Sequence, residues 1–181
     1  EEIKKTESIT NHDVKAVEYF IKKVLDNCDA GHLKEWVHFG LTSQIINNTA
    51  IPLLWKNSIE VEYLPAVINL QHAIGNMALA WKDIPMLART HGQPASPTRL
   101  GKEMMVFVER LENQIQLFSY IPFTAKFGGA TGNFNAHHVA YPDINWGHFG
   151  NTFVSKQLGL VRSEPTTQIE HYDNMAALFD N

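Results

Sequence analysis

Apolar residues recur at helical spacing along most of the chain, and they never alternate with polar ones for more than three or four residues. Residues 11–27 set Val14, Val17, Phe20 or Ile21, Val24 and Leu25 on one helical face. Thr10 or Asn11 suits the cap of that helix, and Asp13 suits its first turn. Residues 42–58 open on Thr42 and Ser43, both good N-caps, and continue through Ile45, Ile46, Ala50, Leu53 and Leu54. Pro52 is expected to bend this helix or end its first part. Two longer helices are predicted. One covers residues 59–82, with Leu64, Val67, Ile68, Ile74, Met77, Ala78 and Trp81 on one face. The other covers residues 99–119, with Leu100, Met104, Phe107, Val108, Leu111, Ile115 and Phe118. Each of these would be roughly 30 Å long. Further helices are predicted at 143–158 and from 169 onward. The pattern predicts an all-α fold, a bundle of long helices with no strands and no internal repeat.

Two loops interrupt the pattern. Residues 83–98, DIPMLARTHGQPASPT, hold three prolines and Gly92, and they exceed the two to eight residues usual for a bundle connection. The plain reading is a prolonged surface turn. Long, stiffened loops on rigid helices are also where functional residues sit. Residues 126–138, KFGGATGNFNAHH, combine backbone freedom with donors and acceptors but match no phosphate-loop motif.

Composition narrows the class. The chain has 181 residues, 44% of them hydrophobic, which suggests one small domain with a real core and excludes a disordered chain. With 15 Lys and Arg against 19 Asp and Glu, the net charge is -4, and no basic stripe marks a nucleic-acid groove. Cys28 is the one cysteine, so neither a disulfide framework nor a cysteine zinc cluster is possible. No apolar run is long enough for a membrane span, and no signal peptide opens the chain, which points weakly to a cytoplasmic protein.

The polar candidates cluster where helices are predicted to begin. Asn11-His12-Asp13 opens one helix, and His38 precedes Gly40-Leu41-Thr42-Ser43, which opens another. Thr90-His91-Gly92-Gln93 lies in the long loop, and Thr166-Thr167-Gln168 precedes the last helix. Helix N-termini offer free N–H groups and a positive dipole end, so such places suit an anion. Each alone is more often a simple cap or a surface residue. A metal site is disfavoured, because His137 and His138 are adjacent and diverge on a helix, and no His-Glu-x-x-His or Gly-x-Ser-x-Gly motif occurs.

Taken in order, TNHDVKAVEYF, HFGLTSQIINNTA, DIPMLARTHGQPASPTRLGKEM, KFGGATGNFNAHHVAYPDINW and TTQIE span nearly the whole chain. This series resembles the adenylosuccinate lyases, within the fumarase/aspartase superfamily. The resemblance implies a long-helix bundle, a homotetramer with active sites shared between subunits, and no cofactor. It implies β-elimination: a C–N bond breaks and fumarate leaves, from adenylosuccinate to give AMP, or from the succinyl-carboxamide ribotide of purine biosynthesis. His91 matches the general acid and Thr90 a carboxylate neighbour. Asn11, His12 and Asp13 match nucleotide-side contacts, with His12 also in the proton network. Thr42 and Ser43 match carboxylate-binding residues, and Gln168 matches a substrate-contacting glutamine.

Three departures accompany the resemblance. Ile45 stands where the family has Asp, which is expected to weaken the carboxylate site. Glu170-His171-Tyr172-Asp173 replaces Glu-Pro-His-Asp. The family's serine base loop has no counterpart, and Arg89, Arg99, Arg110 and Arg162 match none of its substrate arginines. The expected picture is a central helical region, residues 1–181, short of both ends of such an enzyme and poorly active alone. Two other readings stay open. One is a helical assembly or binding module without catalysis, and the other is a superfamily lyase acting on a different succinylated amine.

Overall fold

The computed structural model describes residues 1–181. Its helices are α1 (Glu2–Thr10), α2 (Asp13–Asn27), α3 (Ser43–Ser58), α4 (Leu64–Ala80), α5 (Leu100–Ser119), α6 (Asn135–Ala140), α7 (Trp146–Thr152) and α8 (Asp173–Asp180). Four short strands accompany them: β1 (Pro85–Thr90), β2 (Gln93–Arg99), β3 (Thr124–Ala125) and β4 (Val161–Arg162). The all-α prediction holds for the architecture, since helices dominate and the strands form two-stranded pieces only. No helix is long and apolar enough to cross a membrane.

The chain divides into two compact units, Glu1–Leu53 with Phe123–Asp173, and Leu54–Pro122 with Asn174–Asn181. In the first unit, the core gathers Ile45, Ala125, Phe127, Phe134, Trp146, Val154 and Leu160. α1 was not predicted. EEIKKTESIT has too few apolar residues to show a stripe, and its helix is supported by the Lys4–Glu7 pair at 2.7 Å and by a Lys23–Glu2 pair reaching over from α2. The predicted apolar stripe of α2 is not its buried face. Ala16 and Glu18 are buried, while Val14, Phe20 and Leu25 are half-buried and Val17, Ile21 and Val24 are about 40% exposed.

The buried Glu18 binds three donors. Lys15 Nζ lies 2.8 and 2.9 Å from its two oxygens, Lys22 Nζ lies 3.0 Å away, and His38 Nδ1 donates across 3.0 Å from the loop before α3. Two of these partners stand one helical turn away on α2 itself, at i−3 and i+4. The third ties α2 to the segment that leads into α3.

α3 runs through Pro52 rather than ending there. The missing N–H forfeits one intrahelical bond, but the ring is buried and the helix continues to Ser58. The irregularity appears about two turns later, as a π-helical turn at Ile59–Tyr63. In the second unit, α4 and α5 pack along their length, and Gln71 links them by donating to Val108 O at 3.3 Å and to Glu112 Oε2 at 2.8 Å. At Gly101 a Cβ would stand 2.2 Å from Ala78 O, so the close start of α5 against α4 requires glycine.

The loop predicted at 83–98 is an antiparallel hairpin, β1 against β2, with a register shift between Leu87 and Arg89. This corrects the expectation of no strands. The three prolines fit because only one ladder is formed and its outer edges need no donor. The signal was invisible because almost all of the hairpin is exposed, so no alternation between core and solvent was imposed.

The Glu18 cluster makes stability depend on pH. Burial alone would raise the Glu18 carboxyl, but hydrogen bonds from Lys15, His38 and Lys22 outweigh it and hold it at about 2. A carboxyl lowered on folding stabilises above its ordinary value near 4.5, and that stability is lost as pH falls through about 2. Urea unfolding between those limits should show a loss of stability that Glu18→Gln largely removes. A slope unchanged in the variant would contradict the assignment.

Candidate functional site

The starts of α2 and α3 line one cleft of about 820 Å³ in the first unit. α1 contributes Lys4, Glu7 and Ser8; the α1–α2 corner contributes Asn11, His12 and Asp13; and α3 contributes Ser43, Gln44 and Asn47. Four of the sequence candidates, Asn11, His12, Asp13 and Ser43, therefore stand together. Sequence reasoning missed Gln44 and Asn47, which line the cleft from the first turns of α3, Asn47 one turn beyond Ser43. It missed the α1 residues because that helix was not foreseen.

The local geometry follows from the chain. Because α1 is helical up to Thr10, that residue and Asn11 end one helix rather than cap the next. The Thr10 hydroxyl donates back to Thr6 O at 3.1 Å, and Asn11 takes the left-handed conformation with its N–H on Glu7 O at 2.8 Å. His12 instead caps α2, its Nδ1 accepting from Lys15 N at 3.3 Å. Nδ1 acts as an acceptor, so the neutral ring carries its proton on Nε2. Asp13 sits in the first turn, its Oδ1 accepting from Val14 N at 2.8 Å.

The cleft is polar without being cationic. Lys4 is its one lysine, held by Glu7 and facing a second carboxylate, Asp13. The positive potential on offer is that of two helix N-termini, α2 and α3, each worth about half an elementary charge. Ser43 stands at the first position of α3. Thr42 does not line the cleft: its Oγ1 is buried without a hydrogen-bond partner in the protein, so it caps nothing. Ile45 does not line the cleft either. Its side chain is 1% exposed, inside the core, so its effect on the cleft is limited to where it seats α3.

Gln168 belongs to the same unit but not to the cleft lining. It is exposed in the loop between β4 and α8. Thr90 and His91 belong to the second unit. His91 and Gly92 form the two-residue turn of the hairpin, with φ of 48° and 74°, between the paired Thr90 and Gln93. Positive φ at both central residues is the geometry that matches the strand twist, and it fixes the backbone from which the exposed imidazole extends.

The histidines of the glycine-rich segment diverge as expected, His137 buried and His138 exposed. His137 lies against Phe39, Phe127, Phe134 and Trp146. Burial lowers its pKa, the Phe39 carbonyl partly opposes this, and His138 adds to the lowering. It is a neutral packing residue. Lys126, wholly buried, donates to Gly129 O; burial and the nearby Arg162 lower its pKa to about 8. No group of three or more His, Cys, Asp or Glu side chains is placed to hold a metal ion.

Residues 1–181 match the sequence profile of the family described as Lyase. The chain is 54% identical over 185 residues to an adenylosuccinate lyase of Dictyostelium discoideum, covering 99% of this chain and 40% of that protein. It is 44% identical over 179 residues to one of Escherichia coli, covering 98% of this chain and 39% of that protein. The chain thus spans about two fifths of the length of these relatives. Two solved structures share the fold. A fumarate lyase from Mesorhizobium has a TM-score of 0.77 at 19% identity, over 99% of this chain and 40% of its own. A 3-carboxy-cis,cis-muconate lactonizing enzyme from Pseudomonas putida has a TM-score of 0.74 at 20% identity, over 98% of this chain and 39% of its own. With the family profile matched from end to end and the fold shared with two of these enzymes, the chain belongs to the lyase family.

Proposed function

We propose that this chain supplies the acid side and part of the substrate cleft of an adenylosuccinate lyase. The reaction is a fumarate-releasing C–N elimination, on adenylosuccinate to give AMP and on the succinyl-carboxamide ribotide of purine biosynthesis. The observation that carries this reading is the convergence of Asn11, His12, Asp13 and Ser43 on one cleft at the starts of two helices. The 54% identity to the Dictyostelium adenylosuccinate lyase supports the choice of substrate.

In this reading a base removes the proton beside a carboxylate of the succinyl group. The electron pair left on carbon forms the new double bond as the C–N bond breaks. The departing nitrogen takes a proton from His91. Charge builds up on the carboxylate as the proton leaves, and fixed hydroxyl and N–H donors at helix starts stabilise it without reorganising. Ser43 and the first turn of α3 are such donors. His12 keeps Nε2–H for the nucleotide side, and Gln168 contacts the substrate from its exposed loop. The base is a serine outside this chain, and further cations are needed as well, because the cleft sets one lysine against two carboxylates. This chain by itself therefore turns over substrate very poorly.

The assembled enzyme is a homotetramer with shared sites, built on apolar helix faces. In the second unit Leu54, Val61, Leu70 and Leu79 are more than half exposed, and Phe107 and Leu117 on α5 are 50% and 55% exposed. Faces this apolar mark association surfaces.

In the full-length enzyme, His91→Ala should lower kcat by about 100-fold or more while substrate binding survives. Near-normal kcat would remove His91 from the acid role. Light scattering of the purified chain should show association, and a monodisperse monomer would count against the tetramer interface.

A further inference from the structure

We propose that Glu170 is a positioning residue for the Gln168 loop, acting from a buried site through hydrogen bonds at the loop's base. The inference rests on the reading of Gln168 as a substrate contact and adds what holds that residue in place.

The loop runs from Ser163 to Tyr172, between β4 and α8. Its tip, Thr167-Gln168-Ile169, is exposed, whereas Glu170 is 2% exposed. Glu170 Oε1 accepts from the Thr124 hydroxyl at 2.9 Å and from the Ser163 hydroxyl at 2.8 Å. The second bond closes the loop on itself across seven residues, and the first fixes it to β3. On the rising side, Gly132 lies so close beneath the loop that a Cβ there would be 2.2 Å from Thr166 O. On the falling side, the Tyr172 hydroxyl donates to Asn48 Oδ1 at 2.6 Å, and Gln44 Nε2 donates to the same oxygen at 3.2 Å. Gln44 also lines the cleft. The chain of contacts therefore joins the base of the Gln168 loop to the helix whose first turn carries Ser43.

Stability alone does not account for a carboxylate here. Burying it for two hydroxyl bonds costs more than burying an apolar residue of similar size. Tyr172 adds a second cost, a left-handed backbone with φ 62° in a bulky residue. Burial, together with the nearby Glu170 charge, raises its phenol above the ordinary value, so it remains a donor at neutral pH. Both costs sit at the base of the one exposed tip that carries Gln168, where a fixed loop geometry has a use. A side chain contacting substrate must be held within about 0.5 Å of its productive place.

The test uses the full-length enzyme with Glu170→Ala, Gln168→Ala and the double variant. Glu170→Ala should lower kcat/KM about tenfold or more, mainly through KM. Added to Gln168→Ala it should cost less than about twofold further, because both changes remove one interaction. Amide exchange over 164–169 should quicken while that of α2 and α3 is unchanged. Ser163→Ala, which removes one donor and keeps the carboxylate, should show the same signature at smaller size if Glu170→Ala folds poorly, and Glu170→Gln should recover most of the loss. Losses that multiply in the double variant, or an unchanged exchange rate in the loop, would overturn the inference and leave Gln168 in its role. A harmless Gln168→Ala would remove that role and the inference together.

Discussion

One buried carboxylate holds the cleft's two helix starts in relation to each other. Glu18 binds Lys15 and Lys22 of its own helix and reaches His38 in the segment that becomes α3. Besides that bridge, α2 and the approach to α3 share a more exposed ion pair, Asp26 with Lys34 at 2.8 Å, and packing. With the bridge in place, His12 at one helix start and Ser43 at the other face the same space. Three donors around one acid also explain why the carboxyl stays ionised although it is buried.

The cleft uses backbone more than side-chain charge. Its lining sets one lysine against two carboxylates, so under the proposed function helix termini and neutral donors are what would receive an anion. The net charge of -4 is compatible with such a site, since what matters is the local field at two N-termini rather than the sum over the chain. The wide apolar surface of α3, α4 and α5 has a complementary meaning. α4 and α5 bury only Gln71, Ala78, Gly101 and Phe118, which supports the association proposed above.

Much of this was legible in the chain, and the misses have physical causes. α5 appeared at nearly its true bounds because twenty residues of period 3.6 leave a strong pattern, whereas α4 begins at Leu64 rather than at 59, the five residues before it forming the π-helical turn. α1 was hidden because charged pairs support it rather than an apolar face. The hairpin at 85–99 was hidden because nearly all of its residues are exposed and prolines stand in both strands. His12, Asp13 and Ser43 were readable as helix-start residues, and they share the cleft with Asn11, which instead ends α1. Thr42 stands apart from them: its hydroxyl turns inward and caps no helix, since a threonine beside a helix start can point either way. Ile45, read as a flaw in the carboxylate site, is a core residue. Burial is a tertiary property that the two neighbouring caps could not reveal.

Under the proposed function, the cleft between the starts of α2 and α3 receives the substrate. The most direct test is a crystal structure of the full-length protein with AMP and fumarate bound. Ligand density is expected against Asn11, His12 and Asp13 on one side and Ser43 on the other. Ligand seated elsewhere, with this cleft open to solvent, would contradict that function for the cleft.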